Sequence, residues 1–283
     1  MEKKKNATRI KQSKRVIPGF GISIGIALTL LSLIVLIPMA SIVICASGLS
    51  FSEFLKIISA KDVVAGYEVS FSCAVIAALV NSIFGVILAW VLVRYEFPGK
   101  KILDGLIELP FALPTAVAGI SLAYLYSDKG WIGSEFAKIG IKIAYTKTGI
   151  IIAMIFIGIP FVVRAIQPVL EKMDKQYEEA AAMLGASGTT TFFKVIFPEI
   201  FPSLLTGFGL ALARGIGEYG SVVFIAGNIP YETQIAPLLI MTKLEQYKYA
   251  DATAIALVML VVAFIILFLI NVIQSRVTRI ASN

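Results

Sequence analysis

Two charges stand where charge is costly. Arg214 and Glu218 lie in the otherwise apolar run 201–227, four residues apart and therefore on one helix face. At about 1.5 Å per residue, Arg214 falls about 20 Å from Phe201, near the middle of a bilayer. An arginine there costs about 2.5–3.5 kcal/mol even on a mild insertion scale, so it must face protein or water. Two roles fit. One is a structural ion pair, in which Glu218 or Glu108 neutralises Arg214. The other is a path element, a cation that briefly balances an anion while the adjacent carboxylate keeps it from trapping that anion. Pairing is the stronger reading, because a paired cation attracts an anion weakly.

Other chemistry is excluded by what is missing. The 283 residues contain no histidine, which removes imidazole catalysis and histidine metal sites. The two cysteines, Cys45 and Cys73, lie in or beside apolar runs and read as small core residues, not a disulfide framework. No G-x4-G-K-[ST] phosphate loop occurs; "GASGTTTFFK" has the glycines without the Lys-Ser/Thr pair. No nucleophile–base set converges, so the chain is not expected to be an enzyme, and it is expected to bind no metal or cofactor of its own.

The elements that must hold these residues are set by composition. Hydrophobic residues make up 58% and charged residues 15%, too little charge for a soluble domain of this length. The fold class expected is an all-α polytopic membrane protein. Six apolar runs are long enough to cross: 20–44, 69–93, 106–126, 149–170, 201–227 and 252–274. The first follows a basic segment, 1–19, and is longer than a signal-peptide core, so it reads as an uncleaved anchor. Pro110 and Pro114 remove helix hydrogen bonds and should kink the third run, which places Pro114, Thr115 and Ala116 beside a cavity or path. The glycines of the fifth run permit close helix approach; they either line a narrow pore seam or pack against the third run, and packing is the stronger reading for most of them. Arg164, near the end of the fourth run, reads as a cation reaching for the interface. Trp90 fits an interfacial belt, and Trp131 an external loop.

Six spans put both termini on one side. Fifteen of the Lys and Arg residues fall on that side and eight on the other. The positive-inside rule then places both termini in the cytoplasm, together with the stretch between spans four and five. The net charge of +7 is thus topological, and no nucleic-acid partner is implied.

That stretch includes "EEAAAMLGASGTTTFFKVIFPEIFP", residues 178–202. Asp174 is expected as an N-cap, with Glu178 and Glu179 near the positive end of the helix dipole. Ala180 to Leu184 are strong helix formers. Gly185 suits a left-handed C′ position. Ser187 should cap a second short helix, Pro198 should end it, and Pro202 suits the first turn of span five. A long loop with its own helix is usually functional.

Glu179-Ala180-Ala181, three residues, Gly185, nine residues, then Val195-x-Phe197-Pro198 resembles the EAA signature of ABC importer permeases, E-A-A-x3-G-x9-I-x-L-P, with conservative changes at Val195 and Phe197. "LPFALPTAVAGISLAYLY" (109–126), "FIGIPFVVRAIQPVLE" (156–171), "LLTGFGLALARGIGEYGSVVFIAGNIP" (204–230) and "APLLIMTKLEQYKYADATAIA" (236–256) are similar to the CysT-type sulfate/thiosulfate branch. The resemblance implies the type I importer (MetI-like) fold, with a permease core at 67–275 and a coupling segment at 174–198, in a bacterial inner membrane. It implies that Glu178, Glu179, Ala180, Ala181, Gly185 and Pro198 couple the spans to a separate ATPase. Implied partners are CysA-type ATPase subunits that hydrolyse ATP with Mg2+, a CysW-type second permease or a second copy of this chain, an extracytoplasmic sulfate-binding protein, and membrane lipid. The implied cargo is sulfate, with thiosulfate open. A molybdate or tungstate permease is the alternative, and an ion-driven secondary transporter the next.

Overall fold

A computed structural model of the protein describes residues 20–281, and among them every regular element is helical. The basic segment 1–19 and its ordering lie outside the described residues. The chain divides into two units at Gly48.

The first unit holds α1, Phe20–Ser47, a continuous apolar helix with one π turn at Ser32–Leu36. Cys45 is exposed on it, contrary to the core position expected, whereas Cys73 in the second unit is buried and both are free thiols. An 11-residue apolar stretch around Cys45 has no polar face to turn outward, so its position in the run did not reveal which side it would take.

The second unit begins with α2, Phe51–Ile58. It opens on a capping box: Ser50 Oγ accepts the Glu53 N–H at 3.2 Å, and the Glu53 carboxylate accepts the Ser50 N–H at 3.0 Å. The Ser50 hydroxyl and then its backbone N–H hold the Glu53 carboxyl below its usual range. There follow α3, Lys61–Arg94; α4, Lys100–Ala112; α5, Thr115–Tyr126; α6, Gly133–Lys138; α7, Lys147–Lys172; and α8, Gln176–Met183. The chain closes with α9, Gly188–Ile216; α10, Val222–Ile225; α11, Ala236–Glu245; and α12, Tyr249–Ala281.

Five helices among the described residues (α1, α3, α7, α9 and α12) are long and apolar enough to cross a bilayer. The bent pair α4 and α5 is long and apolar enough, taken together, to count as a sixth. The two halves meet at 113°, and the break lies at Pro114 alone. Leu113, the residue before it, is extended at φ −82°, ψ 133°, as the ring of a following proline demands. Pro110 stays inside α4.

The core is α7 packed between α3 and α9. The buried stripe of α3 is made of small residues at helical spacing: Ala74, Ala77, Ala78, Asn81, Gly85 and Ala89. In lipid no hydrophobic force separates helix from solvent, so association rests on close van der Waals packing. Val162 of α7 shows how close it is. An added Cβ on Gly85 would stand 2.8 Å from Val162 Cβ, and one on Gly207 would stand 2.8 Å from Val162 Cα. The glycines of the fifth span thus face several neighbours. Gly207 meets α7, Gly209 meets Ile270 of α12, and Gly215 meets Ala74 of α3. Only Gly220, beyond the helix, meets the third span.

The fifth span departs most from expectation. It starts at Gly188 and ends at Ile216, instead of running over 201–227. Pro198 does not end the short helix. A π turn at Phe192–Ile196 precedes it, and the Phe197 N–H reaches back to Phe192 C=O. The wider turn lies directly ahead of the ring, and the helix continues past Pro198 although the proline has no N–H to donate. One helix therefore runs from the loop into the membrane.

Gly207→Leu is expected to destabilise the protein by about 1–3 kcal/mol through overpacking at Val162. Thermal unfolding of the detergent-solubilised chain checks this. Gly105→Leu is the control, since an added Cβ there meets nothing within 4 Å, and its melting should match the parent.

Candidate functional site

The segment between α7 and α9 is ordered by local bonds. The Asp174 carboxylate accepts the Gln176 N–H at 3.0 Å, the bond expected of an N-cap side chain, just ahead of the regular helix that starts at Gln176. At the far end the Ala186 N–H donates to Ala181 C=O at 3.0 Å and the Gly185 N–H to Ala182 C=O at 2.9 Å. Gly185 sits at φ +80°. This is the glycine-terminated cap expected from the sequence. Ser187 Oγ then accepts the Thr190 N–H at 3.3 Å and starts α9.

The two adjacent carboxylates of α8 part company. Glu179 and Ala180 are exposed, whereas Glu178 and Ala181, on the opposite face, are half-buried. Met183 and Leu184 end the helix at 90% and 89% exposure. So large an apolar exposure beside a carboxylate is a surface made to be covered. Glu178 instead turns into the protein and pairs with Arg94, the last residue of α3, at 2.7 Å. The Arg94 side chain is only 8% exposed. Breaking a pair this buried costs on the order of 3–5 kcal/mol, because one charge stays behind unpaired. An exposed pair such as Lys138 with Glu135 is worth about 0–1 kcal/mol. Sequence reasoning read Arg94 only as a topology-setting cation. The signal available was Trp90 four residues earlier, whose ring lies 5.7 Å from the guanidinium carbon. Trp90 is half-buried and meets Phe192 edge-on at 5.8 Å, so part of its ring serves the packed interior.

Further pairs tie the bundle together. Arg164 binds Asp104 and Glu108, both at 2.8 Å. Its partners are two carboxylates one turn apart on α4, a pairing that the apolar run alone did not reveal. This also removes Glu108 as a partner for Arg214. Arg214 pairs with Glu218, as expected. The pair sits at the end of α9, not midway along a continuous helix. Glu218 lies just past the helix with its side chain 2% exposed, and it accepts the Ser221 N–H at 2.8 Å and the Ser221 hydroxyl at 2.9 Å. Arg214 stays about a third exposed. Irregular backbone next to this pair needs protein on its flanks at such a depth. The third span supplies it: an added Cβ on Gly119 would overlap the Ser221 backbone, and one on Gly220 would overlap Thr115 Oγ1. Thr115 and Glu218 are thus brought to one junction, through Gly220 and Ser221. Pro114 is exposed at the break beside it, and Trp131 is exposed in its loop.

The comparisons with known proteins address what such a bundle belongs to. Residues 81–279 match the model of the family described as "Binding-protein-dependent transport system inner membrane component". The chain belongs to this family. It is a multi-pass inner-membrane transport component, all-helical, with the type I ABC importer permease fold. This inner membrane component is 46% identical over 267 residues to the sulfate transport system permease protein CysT of Escherichia coli (strain K12), covering 94% of this chain and 96% of that one. It is 49% identical over 249 residues to CysT of Synechococcus elongatus, covering 88% and 90%. Among solved structures it resembles a bacterial alginate ABC transporter in complex with an alginate-pentasaccharide-bound periplasmic protein. There the TM-score is 0.75 at 18% identity, over 92% and 94% of the two chains. An inward-facing methionine transporter, MetNI, matches with TM-score 0.58 at 15% identity, over 76% and 96%. At those identities the fold alone is shared.

Arg164→Met in this permease component should leave Asp104 and Glu108 without their common cation. Both are partly exposed, so the expected loss of stability is about 1 kcal/mol. Hydrogen exchange checks it: protection should fall in α4 and stay unchanged in α3.

Proposed function

We propose that this chain is the sulfate-translocating permease subunit of an ATP-driven importer. The observation that carries the cargo is identity of 46% to a sulfate permease over nearly the whole of both chains. Thiosulfate, an anion of the same charge and similar shape, belongs to the same cargo class. A separate CysA-type ATPase hydrolyses ATP with Mg2+. A sulfate-binding protein delivers the anion from outside, and a CysW-type permease or a second copy of this chain completes the path. Membrane lipid surrounds the spans. The termini and α8 lie in the cytoplasm, in keeping with the distribution of positive residues.

In this reading α8 is the coupling helix. Glu179, Ala180 and the apolar end at Met183 and Leu184 face the ATPase, while Glu178 and Ala181 face the spans. Gly185 holds the turn. Pro198 belongs to the helix that carries movement onward, since α9 is continuous into the membrane. A push on α8 thereby reaches Arg214 and Glu218 along one rigid rod, without a flexible joint. At the far end the buried Glu218 cancels most of the field of Arg214. The guanidinium retains an open face, so it balances a passing dianion without holding it, and Pro114 and Thr115 border that passage.

Three measurements test this. Co-purified with its partners in liposomes, the complex should show ATPase activity stimulated by sulfate-loaded binding protein; stimulation by molybdate alone would reject the cargo and keep the class. Arg214→Gln should assemble normally and lower uptake by about tenfold or more, as expected for losing an electrostatic contact to the charge in transit; normal uptake would leave the pair purely structural. Gly185→Val should strain the left-handed turn by about 1–2 kcal/mol and impair coupled transport. Gly185→Asn should be tolerated, because asparagine accepts that backbone. Equal behaviour of the two variants would detach the turn from coupling.

A further inference from the structure

We infer that Arg94 is the positioning residue of the coupling helix. It is a buried cation at the end of α3 that sets the angle of α8 by holding Glu178 from the membrane side while Glu179 stays turned outward. The inference rests on the reading of α8 as the coupling helix. It goes beyond that reading by naming what α8 is braced against.

Arg94 contacts both helices that meet at the start of the segment and, through Trp90, the one that leaves it. It pairs with Glu178 in the first turn of α8 at 2.7 Å. It donates to Met173 C=O, at the C-terminal cap of α7, at 3.3 Å. These two contacts lie on either side of the short connection between α7 and α8, so one side chain fixes both edges of that joint. Its guanidinium lies 5.7 Å from the Trp90 ring, and that ring packs edge-on against Phe192 at 5.8 Å. Phe192 opens the π turn through which α9 leaves the loop. The helix entering the segment, the helix within it and the helix leaving it are therefore all referenced to the end of α3.

The chemistry requires arginine. A planar guanidinium can pair with a carboxylate, donate to a carbonyl and lie against an indole at once, whereas a lysine ammonium is a single point charge. The contact is an ion pair by distance, since among the described residues the buried Glu178 Oε1 and Arg94 Nε make no hydrogen bond, and its strength comes from burial. At 8% exposure the guanidinium cannot exchange Glu178 for water without leaving an unpaired charge inside the protein. Met173 C=O adds the negative end of the α7 dipole to the same cation. An exposed pair such as Lys100 with Glu96 has none of these constraints and would let a helix swing.

The test separates a brace from a fastener of the fold by measuring sulfate imported per ATP hydrolysed in reconstituted complexes. Arg94→Met and Glu178→Gln are each expected to co-purify with the ATPase subunits and to lower that ratio about tenfold, the size of a typical coupling between sites. Arg94→Lys should recover part of it. The double variant should be no worse than either single one, since both remove the same contact. A parental ratio in Arg94→Met, or a double variant whose loss is the product of the single losses, would overturn the inference. So would uptake and hydrolysis falling together with the ratio intact. Where Arg94→Met fails to assemble, the isosteric Glu178→Gln decides: a lowered ratio supports the brace, and a parental ratio overturns it. Failure of the functional reading shows separately, in the parent complex, as ATP hydrolysis without import of any oxyanion.

Discussion

Close approach of three helix backbones around Val162 is the contact on which the bundle depends. Lipid gives no reward for hiding apolar surface, so α3, α7 and α9 adhere only as far as their atoms touch. Gly85 on one side and Gly207 on the other bring both backbones against a single valine. The alanines of α3 extend this contact in both directions. With the helices this near, side chains at the ends of the bundle reach across to one another, and the ion pairs follow from that proximity.

Three arginines near the ends of spans each meet a carboxylate, yet their environments give them different weights. Arg94 and Glu178 are the best shielded and join distant segments. Arg164 holds two partly exposed carboxylates of α4 and stabilises less. Arg214 is bound to a buried glutamate but keeps an open face. The first ties α8 to the end of α3, the second holds α4 against α7, and the third leaves a partly exposed cation beside the junction of α5 with the loop after α9. Burial, not the mere presence of opposite charges, sorts these roles.

Continuity of α9 links the two ends. A proline inside a helix would ordinarily kink or break it, and here a π turn at Phe192–Ile196 precedes Pro198 and the helix continues. The break falls instead at Gly217, where the chain leaves the helix and Glu218 folds back onto Ser221. A rigid rod that ends in an irregular, well-bonded loop carries displacement to one place. The third span behaves in the opposite way, breaking at Pro114 so that the start of α5 packs against that same loop.

Much of this was legible along the chain. The apolar runs marked the five long membrane-compatible helices and the bent pair, because transfer into lipid is a property of each segment by itself. Gly185 and Ser187 marked a turn and a cap through local backbone bonds, and the four-residue spacing of Arg214 and Glu218 marked their pairing. Proline was read less well. Pro198 was absorbed and Pro114 broke its span, since the outcome depends on whether neighbouring helices support the altered backbone. The partners of Arg94 and Arg164 were not readable. Arg164 meets a carboxylate 60 residues away, and Arg94 meets one across the bundle. Which charges pair is decided by which helices lie side by side, and that is set by packing in three dimensions. The sequence by itself therefore determined the apolar helices, the turn and the local pair. Only the tertiary structure decided which face of α8 is held inward and what holds it.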